Sequence, residues 1–261
     1  LHYEIIVADD GSSDEHSRLL NKEMLELDNI KYIIRKENVG RAVLRNFLAK
    51  EAQYKWLLFI DSDMSIDNDE YMLNYLEQDD KFEVIYGGYS LASGDSSNLR
   101  YIYEKNAEKA HMAIKRNCHS YLDLHTANLL ISRKVMLNIP FDERIRNYGY
   151  EDVLLGKRLK ENNIDILHID NQLVLNNYES NSDYLEKTRE GLQTLKMFSN
   201  ELQGYSRLLT LSDRISRFHQ KWIIKLYWKL RQKYLERKLT GANPNLSTFT
   251  IYKLGYFISI S

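Results

Sequence analysis

Lys55-Trp56-Leu57-Leu58-Phe59-Ile60-Asp61-Ser62-Asp63 passes from an apolar run straight into two carboxylates one residue apart. A short apolar run bounded by turn-forming residues reads as a buried strand. Two carboxylates at its end are costly unless something positive lies between them. A hard divalent cation with phosphate oxygens supplies that charge. Working outward, residues 3–8, 31–35, 84–86, 129–132 and 164–169 are further strand candidates. Helical spacing predicts helices over 17–27, 40–53, 98–117 and 181–202. In the second of these Leu44, Phe47 and Leu48 share a face; the last is capped near Ser182 or Asp183. The alternation predicts an α/β fold: an open, mostly parallel twisted sheet flanked by helices, with ligands at the carboxyl ends of the strands.

Polar clusters lie where such a sheet would place them. Asp9-Asp10-Gly11-Ser12-Ser13-Asp14 follows the first strand. A strand-end carboxylate can accept from a base N–H or a ribose hydroxyl, although the same residues also make ordinary turns. In Asn38-Val39-Gly40-Arg41-Ala42-Val43-Leu44-Arg45 the glycine opens a helix and Arg45 sits about one turn inside. A helix N-terminus with an arginine suits a phosphate or nucleotide; a surface arginine is the plainer alternative. Gly149-Tyr150-Glu151-Asp152 precedes a helical segment at 153–159. Acids at a helix start are stabilised by its dipole, and one of them can serve as a general base.

Composition sets limits. The 261 residues carry 36 Lys+Arg against 37 Asp+Glu, with 43% hydrophobic residues, which excludes a disordered or fibrous chain. A single cysteine, Cys118, excludes a disulfide scaffold and a cysteine-built zinc site. With no long apolar run and no signal peptide, the expectation is a cytoplasmic protein, peripheral on the inner membrane face at most. The charge is uneven. Residues 205–240 hold ten Lys/Arg and two Asp/Glu, so the remainder is acidic. Arg217, Lys221, Lys225, Lys229 and Lys233 recur every four residues, as do Phe218, Trp222, Leu226, Leu230 and Tyr234. One basic amphipathic helix over 205–240 is therefore expected. It either packs on the body with its lysines in water or lies on an anionic membrane surface. No nucleic-acid recognition motif accompanies it.

The ordered series ADDGSSD, ENVGRAVLRN, LLFIDSDM and NYGYEDVLLGKRL resembles the family 2 glycosyltransferases of the GT-A fold, inverting and of bacterial type. The resemblance covers roughly residues 3–180. It implies a glycosyltransferase domain over 1–180, a helical extension over 181–261, a nucleotide-sugar donor (a UDP-sugar first), and Mn or Mg. It also implies a glycan, lipid-linked or protein acceptor in surface polysaccharide or glycoconjugate synthesis. By the family pattern Asp10 contacts the base, with Asp9 its more variable neighbour, and Asn38, Gly40, Arg45 and Asp61 hold the nucleotide. Asp63, with Asp61, binds metal. Asp152 is the catalytic base, Glu151 orients the acceptor, and Asn128 is a weaker acceptor-site candidate. Only eight residues precede Asp9, so the family's first, central strand is expected to be missing. Leu175-Asn176-Asn177 stands where many relatives place a metal-binding histidine, and His168 reads as structural. The alternative is a non-catalytic sugar-nucleotide-binding or membrane-docked scaffold. A phosphatase or receiver-domain reading of the strand-end aspartates leaves residues 149–159 unexplained.

Overall fold

A computed structural model of the chain describes residues 1–78 and 80–261. The first half runs β1 (Ile5–Asp9), α1 (Glu15–Asn21), β2 (Ile30–Ile34), α2 (Arg41–Glu51), β3 (Trp56–Ile60), β4 (Met64–Ser65) and α3 (Tyr71–Leu76). There follow β5 (Val84–Tyr86), β6 (Tyr89–Leu91), α4 (Leu99–Ala107), α5 (Ala113–Arg116), β7 (Asn128–Ser132) and α6 (Arg133–Asn138). The second half runs α7 (Glu151–Glu161), β8 (Ile166–His168), β9 (Leu173–Leu175), α8 (Asn181–Met197), α9 (Arg207–Arg217), α10 (Lys221–Thr240) and α11 (Leu246–Ser259).

The central sheet has strand order β3-β7-β5-β8 and is buried on both faces. Leu57, Val84, Tyr86, Leu129 and Ile131 point to one side, where Ala42 and Ala49 of α2, Val135 and Met136 of α6, and Leu155 and Leu159 of α7 close the core. Leu58, Ile85 and Leu130 alternate to the other side, against Tyr71 and Tyr75 of α3. Two covered faces explain why these strands read as unbroken apolar runs.

The pairing is mixed rather than mostly parallel. β7 runs antiparallel to both β3 and β5, while β5–β8 is parallel. A parallel neighbour needs a crossover that returns to the same sheet end, and the long excursion through α4 and α5 instead delivers β7 from the opposite end. β1 and β2 form a separate parallel pair, and a third sheet has order β4-β9-β6. Among the described residues β1 and β3 each keep one unpaired edge.

Four helices depart from the periodicity. The helix expected at 17–27 stops at Asn21 and tightens into a 3₁₀ turn, Lys22–Glu26, with no buried residue. The one expected at 98–117 breaks after Ala107 into short turns. The basic helix expected at 205–240 is two helices, α9 and α10, because His219 takes a left-handed turn at φ 55°. Ser180, not Ser182 or Asp183, caps α8 by accepting from the Asp183 N–H. The helix expected at 181–202 ends at Met197; Leu185, Leu192 and Leu195 are buried as their spacing requires, and Leu202 is buried from the turn beyond it. They seat α8 in two clusters that reach Leu154 of α7, Leu99 of α4 and Phe249 of α11.

Candidate functional site

α2 organises the site through polar residues on its buried face. Leu44, Phe47 and Leu48 are only half-buried; the face turned inward is Ala42, Arg45, Asn46 and Ala49. Asn46 exchanges hydrogen bonds with the backbone of Phe141, 3.0 Å as donor and 2.9 Å as acceptor. Arg45, 7% exposed, donates to Asp61 at 2.9 Å and to Glu151 at 3.0 Å, with its guanidinium over the Phe141 ring. One arginine thus ties the end of β3 to the start of α7 across 106 residues of sequence. Both ends of its fork are engaged by carboxylates, so Arg45 is a buried pin between the two acid pairs.

The start of α7 is set by Gly149 at φ 92° and Tyr150 at φ 69°, the second a left-handed conformation that side chains rarely adopt. This turn sends Glu151 inward to Arg45 and Asp152 to the other side. Asp152 accepts from the Val153 N–H at 2.8 Å and pairs with His125 Nδ1 at 3.0 Å. Burial resists ionisation of Asp152, but the His125 contact, Val153 and Arg45 outweigh it and hold its carboxyl below the ordinary value. Glu151 moves the other way, raised by burial and by the neighbouring Asp152 charge. The two acids are therefore electrostatically distinct, the arrangement expected when one must stay ionised.

His125 went unnoticed in the sequence, as did its surroundings. Its ring stacks on His111, 4° from parallel at 6.4 Å, and lies against Tyr86 and Tyr89. Burial, with the His125 and Arg116 charges, pushes His111 down to about 4, so it stays neutral. Burial also opposes the His125 charge, yet Asp152, Glu104 and Asp123 raise its pKa above the ordinary 6.5. The only signal was position: His125 stands three residues before β7, beside Thr126-Ala127-Asn128.

A pH dependence follows. The raised His125 contributes stability fully below 6.5 and loses it as pH climbs through its folded pKa. The depressed Asp152 contributes fully above 3.8 and loses it as pH falls through its folded pKa. The pair thus stabilises most between those two values. Melting temperatures from pH 5 to 9 should show a decline above 6.5 that His125→Asn flattens; superimposable profiles would remove the coupling.

The other expected residues sort unevenly. Asp10 accepts from the N–H groups of Val39 and Gly40 at 3.2 and 3.0 Å, and Asn38 Oδ1 also accepts from Gly40 at 3.1 Å, so these three do meet at the start of α2. Gly40 sits at φ 86°, where a Cβ would run into the Arg146 carbonyl. Asp9 is a correction. At 8% exposure its carboxylate is spent on the Ser12 N–H at 2.7 Å, Arg18 and Tyr32. Asn128 is another: fully buried, it accepts from Tyr71 and Tyr75 and donates to the carbonyls of Gly88 and Asn171, leaving nothing to offer an acceptor. His168 is structural as expected, bonded to Arg116 and the Ser120 carbonyl.

Asp63 lies two residues beyond Asp61 with its side chain one-third exposed and Arg100 at 3.4 Å; Arg100 is also paired with Glu179. Among the described residues no group of three or more His, Cys, Asp or Glu converges on a cation position. Asp61 and Asp63 are hard oxygen donors on one turn. They fit a divalent cation that draws its remaining ligands from a diphosphate and water, not a preformed cage.

The glycosyl transferase family 2 model matches residues 1–138. A teichoic acid poly(glycerol phosphate) polymerase of Staphylococcus epidermidis is 24% identical over 151 residues, 56% of this chain and 20% of that protein. A poly-beta-1,6-N-acetyl-D-glucosamine synthase of Staphylococcus aureus is 33% identical over 86 residues, 32% of this chain and 21% of that protein. The chain thus spans about a fifth of these curated relatives. Among solved structures, the mannosyltransferase PcManGT of Pyrobaculum calidifontis, in complex with GDP-Man and Mn2+, superposes with a TM-score of 0.55 at 10% identity, covering 98% of this chain and 75% of that one. Staphylococcus aureus TarS 1-349 with UDP-GlcNAc gives 0.51 at 18% identity, covering 98% and 81%. The fold is therefore the GT-A glycosyltransferase architecture, with an added helical C-terminus.

Proposed function

Since the chain belongs to glycosyl transferase family 2, we propose that it moves a sugar from a nucleotide-sugar donor to a hydroxyl acceptor in surface polysaccharide or glycoconjugate synthesis, with inversion. A UDP-sugar is the donor to try first, because UDP-GlcNAc occupies the similar TarS structure and the curated relatives are named as polymer-forming enzymes. The single observation that carries the reading is the chain of contacts Asp61–Arg45–Glu151, with Asp152–His125 adjoining it. It brings the strand-end acid pair and the helix-start acid pair into one electrostatic unit.

In this reading Asp152, ionised and held by His125, accepts the proton of the acceptor hydroxyl. The acceptor oxygen forms its bond to the anomeric carbon on the face opposite the nucleotide. The bond from that carbon to the diphosphate oxygen breaks, and its electron pair leaves with the nucleoside diphosphate. Glu151, fixed by Arg45, lies next to the base and orients the acceptor side. Asp10, Asn38 and the N-terminus of α2 serve the nucleotide end. Asp63 with Asp61 would hold a divalent cation, Mn or Mg, which when bound supplies positive charge beside the diphosphate.

Calorimetric titration of the protein with UDP-GlcNAc, with and without Mn²⁺, tests this. Asp63→Asn should remove the Mn²⁺-dependent part of the affinity. Full Mn²⁺-dependent affinity in that variant would overturn the metal assignment. Failure of the parent protein to bind or hydrolyse any UDP- or GDP-sugar would overturn the enzyme reading.

A further inference from the structure

α10 is apolar on two opposite faces, and only one of them is used. Trp228, Leu235 and Leu239 are buried, at 7%, 3% and 0% exposure. They pack against α11 and α8, with the Trp228 ring edge-on to Tyr252 at 5.2 Å. Its close seat depends on Gly255, where a Cβ would stand 2.6 Å from the indole. At about 100° per residue, Leu226 and Leu230 lie roughly 160° away from Trp228 on either side. They are 51% and 73% exposed, and Trp222, Ile223 and Tyr234 beside them are 65%, 49% and 51% exposed. Phe218, 68% exposed, extends this ridge at the corner between α9 and α10. The ridge from Trp222 to Tyr234 is about 18 Å long.

Cations flank the ridge on both shoulders. Lys225, Lys229 and Lys233 climb one side; Arg231 and Lys238 stand on the other. α10 carries seven Lys/Arg and one Asp/Glu, although the whole chain is at −1. That single acid, Glu236, turns inward to Arg189. Among the described residues no Lys or Arg of α10 forms an ion pair with an Asp or Glu side chain; Lys225 Nζ donates to the Ser261 oxygen at 2.8 Å, and the other cations keep their charge toward solvent. A helix meant for solvent would not hold this much apolar and aromatic area outward. Nor does α10 cross a bilayer, since among the described residues no helix is long and apolar enough.

We propose that α10 docks the protein on an anionic lipid bilayer, lying in the interface plane with Trp222, Leu226, Leu230 and Tyr234 immersed and the flanking cations among the headgroup phosphates. Charge complementarity selects this occupant. Lys and Arg on both edges of an apolar ridge match a surface negative everywhere, because long basic side chains reach up to phosphates while their stems cover apolar area. Tyr227 and Tyr234 add rings that are apolar at the body and wet at the tip, the kind that settle at headgroup depth. The Trp228 face stays engaged with α11, so docking needs no unfolding of the helix.

Flotation with vesicles tests the surface apart from catalysis. The full protein should float with phosphatidylcholine:phosphatidylglycerol vesicles at low salt, be released at about 0.5 M NaCl, and ignore pure phosphatidylcholine. Lys225→Glu, Lys229→Glu and Lys233→Glu together should weaken partitioning by at least the roughly fivefold expected per cation. Trp222→Ser with Leu230→Ser should abolish it while leaving the melting temperature and donor hydrolysis unchanged, because these side chains are exposed and remote from Arg45. A protein that never floats, or whose flotation neither variant alters, refutes the proposal. So does a concentration-dependent dimer that Leu230→Ser dissolves while anionic vesicles leave the protein unbound; the ridge would then be a contact between copies.

Discussion

Asp152→Asn should lower kcat by about 10²–10⁴-fold while donor affinity holds, the span typical of a removed general base. Asparagine keeps the shape at the start of α7 and can still face His125 and the Val153 N–H, both at hydrogen-bonding distance from Asp152. It cannot take a proton. Donor binding should survive because Asp10, Asn38, Gly40 and Asp63 lie on other elements. The size of the loss also measures how far His125 acts through Asp152. In the proposed role, a lowered carboxyl pKa would make Asp152 a reliable anion but a weak base, so transfer would depend on placement more than on basicity. His125→Asn in the parent should then give a smaller loss than Asp152→Asn, and in the Asp152→Asn background almost none. Steady-state kinetics with a saturating donor and direct donor titration separate the two quantities. Unchanged turnover in Asp152→Asn would place the base elsewhere. Loss of donor affinity with turnover would mean the substitution had disturbed the whole site.

The strands were legible because a doubly covered sheet writes itself as apolar runs, and Trp56–Ile60 and Val84–Tyr86 lie within or on the expected bounds. The two acid pairs were legible because carboxylates at strand ends and helix starts are locally unusual. What could not be read was any feature defined by a distant partner. On α2 the amphipathic pattern pointed to Leu44, Phe47 and Leu48. The true inner face carries Arg45 and Asn46, acceptable there only because Asp61, Glu151 and Phe141 arrive from elsewhere to pair them. The saturation of Asn128, an acceptor-site candidate by resemblance, was hidden for the same reason: its four partners come from three distant segments. The antiparallel entry of β7 is a property of pairing, not of any residue in it. The corner at His219 has neither Gly nor Pro to mark it, so a four-residue repeat ran across it unbroken. The repeat still located the exposed ridge of α10.

Arg45→Met tests the pin directly. The side chain is 9% exposed and faces Glu151, 7% exposed, and Asp61, 29% exposed. Methionine has a similar stem and no charge, so packing against Phe141 is largely kept while two carboxylates lose their cation. Removing one partner of a buried ion pair costs roughly 3–5 kcal/mol, because the remaining charge stays desolvated. In a chain near this size each kcal/mol lowers the melting temperature by about 2–4 °C. The damage should depend on pH with a definite sign. Glu151 already has a raised pKa with Arg45 present, and without it the pKa rises further. At pH 5 Glu151 can escape the penalty by binding a proton; at pH 8 that escape costs more, so the variant's deficit should be larger there. Glu151→Gln in the same background should recover part of the stability at pH 8 and little at pH 5, since glutamine removes the orphaned charge that the proton otherwise neutralises. Thermal melts of the parent, the single and the double variant at both values resolve the coupling. An Arg45→Met melting temperature equal to the parent's at pH 8 would show that the two acid pairs are not held together through this guanidinium.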